Sequence, residues 1–346
     1  MTGQGCAEGF GITVAGRRVK ISWTRIEWKR ARTQFSQAGK RQKGNQMEME
    51  TVVDVNGMET VQRLSKDLRR AATEMYDREA RCLVKSYYIM QEQRVRVGNQ
   101  ISSGGDTPNE VLKYFFEQSG ILEKQMHGAL TAYAKSHDMG VWAMGICGIG
   151  PIISAGLLAH INLEPWVCAP HHGTKKVCWP GKPCTPECKF QRLTTAGHIW
   201  SFAGLDPRAE WKKGKRRPWN AALKTLCWKI GESFVKVSGR DNDIYGKLYL
   251  QRKAEEIERN ERLEFADQAK EKLEKFDIGE STDAYKAYSI GKLPPGHIHA
   301  RAKRWAVKIF LSHWFERAYE LKWGEKPPMP YAQAILGHAH KIEPPE

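Results

Sequence analysis

The stretch Ala-Met-Gly-Ile-Cys-Gly-Ile-Gly-Pro-Ile-Ile-Ser-Ala-Gly-Leu-Leu-Ala-His-Ile (143–161) decides how the rest of the chain is read. Gly148-Ile149-Gly150 separates two short apolar segments, and Pro151 stands where a second helix would begin. Glycine tolerates the positive φ of a tight turn, and proline suits a first helical position. The pattern predicts a helix-hairpin-helix whose free backbone N–H groups, at the start of the second helix, can receive a nucleic-acid phosphate. Three other readings compete. Val141 to Ile161 is an uncharged run of 21 residues, long enough to span a bilayer. Its four glycines and internal proline argue instead for two short helices and a turn. A phosphate-binding Gly-x-Gly-x-x-Gly loop lacks its third glycine and any preceding strand. The hairpin can also be a buried corner between core helices.

Two further pieces follow. Trp-Ser-Phe-Ala-Gly-Leu-Asp-Pro occupies 200–207, and Lys-Gly-Lys-Arg-Arg-Pro-Trp-Asn-Ala-Ala-Leu-Lys occupies 213–224. Lys212, Lys213, Lys215, Arg216 and Arg217 are five cations in six residues, set between Trp211 and Trp219. Cations interleaved with tryptophans suit phosphate contact combined with base stacking. Pro218 is expected to open a helix with Ala222, Leu223, Leu226, Cys227, Ile230 and Phe234 on its apolar side. Lys224 and Lys229 lie off that stripe.

In this order, the three pieces resemble the C-terminal domain of a family of RNA-bridged insertion-sequence transposases. Those enzymes combine a RuvC-like acidic (DEDD) N-terminal domain with a serine-bearing C-terminal domain, guided by a structured bridge RNA. A more distant likeness is to RNA-guided, Nop-like proteins of phages and prokaryotes. The resemblance implies guide-like RNA and DNA as partners, with Gly148, Gly150, Lys212, Lys213, Lys215, Arg216, Arg217, Trp219 and Lys224 in the contact surface. A complete transposase would also need a cluster of metal-holding acidic residues and a serine shortly after Gly-Leu-Asp-Pro. Arg208 to Glu232 contains no serine, Ser201 precedes the motif, and Ser233 lies well beyond it. Thr225 falls inside a helix with no evident base. The expectation is therefore a nucleic-acid-binding protein of a mobile element or phage, RNA-guided and DNA-binding, with no catalytic residues of its own. The alternative is an insertion-sequence transposase, active in DNA transposition with an unrecognised or trans-supplied catalytic domain. A third class is a structural oligomer whose charge serves solubility.

Composition agrees with a polyanionic partner. The chain has 346 residues, a net charge of +16, 41% apolar and 27% charged residues, and 12 tryptophans. That excess of positive charge favours nucleic acid or an acidic membrane surface. The eight cysteines do not form a secreted disulfide framework, since four lie within 168–188 and Cys6, Cys82, Cys147 and Cys227 are scattered. With no apolar leader visible, the expected location is cytoplasmic, with no membrane partner.

The insert at 164–199 is rich in proline and glycine and cannot build a core. Its cysteines are spaced Cys168-x9-Cys178-x5-Cys184-x3-Cys188, with His171 and His172 nearby as substitute ligands. A structural zinc ion held by the four thiolates is expected, because zinc binds tetrahedrally and folds such knuckles. Disulfides or free thiols are the competing states.

The expected fold class is mainly α: an elongated helical protein with a helix-hairpin-helix core domain and a small zinc-stapled insert. Residues 1–46 carry ten Lys or Arg against two Glu. They read as a basic, disordered arm, or as an upstream extension with Met47 or Met49 as the start. Residues 47–137 form a helical N-terminal region. Thr51 to Gly57 hints at a strand, and 58–101 reads as helix through Leu64, Leu68, Ala72 and Met75, then Leu83, Tyr87 and Met90. Tyr87, Gln91 and Arg94 share a face, and with Arg96 they are candidates to grip an RNA backbone. Thr107 and Pro108 read as the start of a helix that breaks near Gly120 and resumes at Ile121. Residues 138–238 form the transposase-like domain containing the insert, and 239–346 the C-terminal helical region. Within the latter, 240–277 reads as one long charged helix offering a homodimer surface. After a break at Gly279, another helix is expected over 297–322. Arg301, Lys303 and Arg304 place cations in its first turns, where the helix dipole disfavours them. Arg301 and Arg304 are therefore candidates to meet a polyanion. His297, His299, His338 and His340 are weaker metal candidates.

Overall fold

The computed structural model describes residues 11–14, 17–20, 64–103, 109–164, 166–167, 189–190, 192–207, 209–328 and 342–345. The chain divides into two units, Met1–Thr60 and Val61–Glu346. In the first, β1 (Gly11–Val14) pairs antiparallel with β2 (Arg17–Lys20), Gly11 opposite Lys20 and Val14 opposite Arg17. The strand expected at 51–57 lies outside the described residues.

The second unit is mainly helical. It opens with α1 (Lys66–Thr73), capped by Ser65, whose side chain accepts from Leu68 N–H. A turn at 74–76 separates it from α2 (Asp77–Ser103). One helix over 58–101 is thus corrected to two, with Leu68 left exposed and Ala72 buried. The break lets α1 fold back onto α3 (Glu110–Lys135), where Ser136 Oγ donates to the Thr73 carbonyl. Asn109 caps α3 through Val111 N–H at 2.9 Å, so the helix starts after Pro108 and its cap is not Thr107.

The expected break at Gly120 is also corrected, because α3 runs through it. Glycine in a helix costs only about 1 kcal/mol, and tertiary packing outweighs it. α2 and α3 lie antiparallel along their length. Asp77 meets Tyr133, Tyr87 meets His127, and Arg94 meets Glu123. A Cβ on Gly98 would sit 3.0 Å from the Phe116 ring.

The opening stretch of the sequence forms α4 (Asp138–Gly145), a turn, and α5 (Pro151–His160). Gly148 in the turn has φ +92°. α5 is the hub of the unit, packed against α2, α3, α4 and α7 (Ala221–Val237). Small residues allow this crowding. A Cβ on Gly140 would fall 1.9 Å from the Ala134 carbonyl oxygen, and one on Gly156 would fall 2.8 Å from Leu226. Ser154, fully buried, donates to the Gly140 carbonyl at 3.1 Å. Among the described residues no helix is long and apolar enough to cross a membrane.

After α5, β3 (Trp166–Val167) pairs with β4 (Lys189–Phe190) across the insert. α6 (Ala196–Phe202) follows and ends in a Schellman cap. Gly204 N–H bonds the Ser201 carbonyl, and Leu205 N–H reaches back to the Trp200 carbonyl at 2.8 Å. Gly204 supplies the left-handed residue with φ +67°, and Leu205 is buried in the core. The Ala203–Pro207 motif is therefore a helix stop in structural terms. α7 begins at Ala221, three residues later than Pro218 suggests, because Asn220 is its cap. Asn220 Oδ1 accepts from Ala222 and Leu223 N–H. Leu223, Leu226, Cys227, Ile230 and Phe234 are buried as expected, whereas Ala222 is exposed.

The single long helix expected over 240–277 is corrected to α8 (Tyr245–Glu261) and α9 (Ala266–Lys275). Leu263, with φ 59°, turns the chain between them. Tyr249 of α8 packs on Ala302 and Ala306 of α11 (Pro295–Trp323), while Leu250 and Ile257 of α8 stay exposed. The short α10 (Asp283–Ser289) lies between α9 and α11 and was not expected from the sequence. α11 exceeds its predicted 297–322 by two residues at one end and one at the other. Phe234 and Tyr245 stack in the core and Phe310 meets both edge-on, with ring centroids 4.9 to 5.6 Å apart.

Candidate nucleic-acid interface

The basic segment forms a tight turn, closed by Lys215 N–H to the Lys212 carbonyl and by Trp211 Nε1 to the Lys215 carbonyl at 2.6 Å. Gly214, at φ +84°, makes the reversal possible. Lys212, Lys213, Lys215, Arg216 and Arg217 are all exposed. Arg217 lies over the Trp211 ring at 5.3 Å. Trp219 packs on the face of Gly204, where a Cβ would come within 2.7 Å, and carries Lys224 Nζ 4.0 Å above its ring.

Three ends converge here. Asn220 N–H bonds the Phe202 carbonyl at 2.8 Å, joining the end of α6 to the start of α7. Its amide nitrogen lies 3.4 Å from Nδ1 of His160, the last residue of α5. Burial and then the charge of Arg81 push the His160 imidazole down to about 4. It is neutral near pH 7 and free to accept that bond.

α11 adds the other wall. Burial first, then Arg217 and Arg304, hold Lys224 below the ordinary lysine range. Arg304 is itself lowered by burial and by Arg301. Lys308 sits over Trp200 at 5.3 Å and is lowered by burial and by Arg304, with Asp206 opposing. His297 is pushed down to about 4 by burial, then by Arg304, Arg301 and Lys272. These shifts mark a surface where positive charge is crowded. Among the described residues, Lys224, Arg217 and Arg304 make no ion pair.

Other candidate cations are engaged elsewhere. Arg301 pairs with Glu256 at 2.7 Å and donates to Gln268 at 3.0 Å. Glu256, only 2% exposed, also holds Arg252 at 2.6 Å. Burial alone would raise its carboxyl, but hydrogen bonds and charge from Arg301 and Arg252 outweigh burial and hold it below the usual range. Lys303 pairs with Glu232 of α7. Two of the three cations that look unbalanced at the start of α11 are thus neutralised by α7 and α8, and Arg304 remains. On the helical pair α2–α3, Arg94 bonds Glu123 at 2.5 Å with Gln91 alongside, and Arg96 bonds Glu92 at 2.6 Å. Tyr87 is buried within the same network. The Tyr87–Gln91–Arg94 face therefore holds α3 and is not a free surface.

Gly148 and Gly150 lie in the turn before α5. Ser233 of α7 donates to the Gly148 carbonyl, and Gly150 caps α5 without a side-chain bond. The Thr225 hydroxyl donates to the Ala221 carbonyl at 3.0 Å. His297 and His299 bond Tyr288 and Tyr249 respectively. Among the described residues no three His, Cys, Asp or Glu side chains gather closely enough to hold a metal ion. Cys168, Cys178, Cys184, Cys188, His171, His172, His338 and His340 lie outside those residues.

Sequence reading missed two residues of this surface. Lys308 continues the cationic row of α11 one turn beyond Arg304. Trp228, 57% exposed on α7, lies off the apolar stripe that the same helix buries. An aromatic out of phase with its helix's buried side was the available signal.

No family model, curated protein or solved structure matches the chain.

Proposed function

We propose that this chain is a nucleic-acid-binding protein of a mobile element or phage, RNA-guided in its binding of DNA and without a nuclease centre of its own. The observation that carries the reading is the unpaired cationic surface of Arg217, Lys224 and Arg304, laid among tryptophans and continued by the exposed turn Lys212–Arg217. Repulsion among such cations is relieved when phosphates lie between them. The Ile146–Gly150 turn is read as a helix-hairpin-helix, with the free N–H groups at the start of α5 offered to a phosphate.

The insert is proposed to hold one structural zinc ion through Cys168, Cys178, Cys184 and Cys188. In support, Val167 and Lys189 pair with each other, and they are the chain neighbours of the first and last of these cysteines. The second reading, a transposase completed by a domain acting in trans, is favoured by the convergence of the resembling pieces. Asn220 joins the 200–207 piece, at the Phe202 carbonyl, to α7, and Ser233 joins α7 to the Gly148 turn.

The test is to purify the full-length chain, sequence any RNA that accompanies it, and titrate labelled polynucleotide at several salt concentrations. Each phosphate contact contributes roughly 0.7–0.9 to the log–log salt slope. Reversing Lys213, Arg216 and Arg217 to Glu should abolish binding and flatten that slope. Unchanged affinity and slope in the triple variant would move the interface elsewhere.

A further inference from the structure

Trp228 is the unexplained group on this surface. Trp228 is 57% exposed on α7, and Lys303 Nζ lies 5.5 Å from its ring centroid. Burying a tryptophan is worth more than burying almost any other side chain. A helix that leaves one in water beside cations therefore invites an aromatic partner from outside. Lys224 stands one turn before Trp228 on α7, on the flank that faces Arg304. Lys224 also feels the charge of Arg217, which covers Trp211, a residue 40% exposed. Trp228 and Trp211 are thus linked through Lys224 and Arg217, with Trp219 under Lys224 and Arg304 near it.

We infer that this surface takes a single-stranded polynucleotide, its unpaired bases stacking on Trp228 and Trp211 while its phosphates lie along Arg217, Lys224 and Arg304. The inference rests on the nucleic-acid reading above and narrows it to strands with free bases. In a duplex both faces of every internal base are already stacked, and an indole finds only base edges and sugars. A single strand offers whole π-faces, and stacking on an aromatic side chain tolerates any base. Glu232 neutralises Lys303 beyond Trp228, so the unpaired positive charge of the platform lies at its other end. Phosphates are therefore drawn toward the Lys224 side.

The experiment measures binding of the full-length chain to labelled oligothymidine, oligouridine and a duplex of equal length. It compares the wild type with Trp228→Ala, Trp228→Phe and Trp211→Ala. Base stacking is worth about 1–3 kcal/mol per base, and 1.4 kcal/mol is tenfold. Trp228→Ala should therefore weaken single-strand binding by about 5- to 150-fold, with the salt slope and duplex binding as in the wild type. Trp228→Phe keeps a ring and should recover most of the loss, which a merely structural role for the indole would not produce. The ranking of thymidine and uridine strands identifies whether DNA or RNA is the ligand. Equal losses on single strand and duplex would overturn the proposal, as would full single-strand affinity in both alanine variants, while leaving nucleic-acid binding itself standing. A wild type that binds no polynucleotide would remove both.

Discussion

Ser233 donates its hydroxyl hydrogen to the carbonyl of Gly148 at 2.5 Å, tying the middle of α7 to the turn between α4 and α5. The two residues are 85 positions apart in the chain, and the bond makes the turn part of the α7 surface. Gly148 also abuts that helix, where an added Cβ would lie 3.1 Å from Val237 and 3.4 Å from Phe234.

Ser233→Ala should therefore lower stability by about 1 kcal/mol, the usual net value of one such bond. Gly148→Ala should cost more, since its φ of +92° disfavours any side chain and its neighbours leave little room. A left-handed backbone alone costs an L-residue roughly 1–2 kcal/mol. Urea unfolding of the full-length chain followed by helical circular dichroism reads both. The double variant should lose less than the sum, because both changes loosen the same contact. A Gly148→Ala midpoint equal to wild type would contradict the packing described here.

Acidification should weaken the fold between about pH 6.5 and 4, chiefly through two histidines, with His299 lowered in the same direction. His160 and His297 are each pushed down to about 4, burial being the first cause for both. An unfolded imidazole takes up its proton near 6.5, well before either folded one does. The folded state thus has its full advantage above about pH 6.5 and loses it progressively as pH falls toward 4. Each histidine can contribute a slope of at most about 1.4 kcal/mol per pH unit, less where water reaches the ring. His160→Gln should remove part of the slope seen in unfolding at pH values across this window, and His160→Gln with His297→Gln most of it. An undiminished slope in the double variant would show that other groups set the acid response.

What the sequence made legible was local and glycine- or proline-marked. Gly148 and Pro151 announced a turn and a helix start, and both stand where expected. The buried side of α7 was legible from Leu223 to Phe234 because its spacing is strictly helical. Breaks made without glycine or proline were not legible. Glu74 and Leu263 interrupt helices only because tertiary packing folds α1 onto α3 and turns α8 into α9. Gly120 misled in the opposite sense, since the long α2–α3 contact carries the helix through it. The interface was half legible. The run Lys212–Arg217 is plain in the sequence, but Arg304, which acts on the same Lys224 as Arg217, comes from far along the chain and joins the surface only through the fold. Arg94 and Arg301 matched the same charge pattern, yet each is matched to a carboxylate that spacing alone does not reveal.

Protein purified without added metal should contain about one zinc ion per chain, the stoichiometry of a single four-ligand site. Thiolate ligands hold zinc only when deprotonated, so release should accompany acidification or chelation. Cys168→Ser together with Cys188→Ser should lower the zinc content toward zero. Protein without metal, whose thiols titrate freely, would refute the site.

The protein should bind its target and leave the strands intact. Hydrolytic or transesterifying chemistry needs either acidic residues gathered around metal ions or an activated nucleophile with a base beside it. Serine is missing from Gly204 to Glu232, the span in which the resembled transposases carry theirs. Thr225, the hydroxyl in that span, already donates to the Ala221 carbonyl of its own helix. Ser233, just beyond it, donates to Gly148 and is held to a structural bond. In the helices over 66–73, 77–103 and 110–135, Glu123 pairs with Arg94, Glu92 with Arg96 and Glu110 with Lys113, while Asp77 accepts from Tyr133. Incubating the purified chain with its accompanying RNA, matching DNA and magnesium should give a retarded complex containing full-length strands. Cleavage that disappears in Ser201→Ala or Thr225→Ala would restore the serine-type transposase reading. Cleavage that survives both substitutions would place an acidic centre in this chain, and either result would end the claim that it binds without cutting.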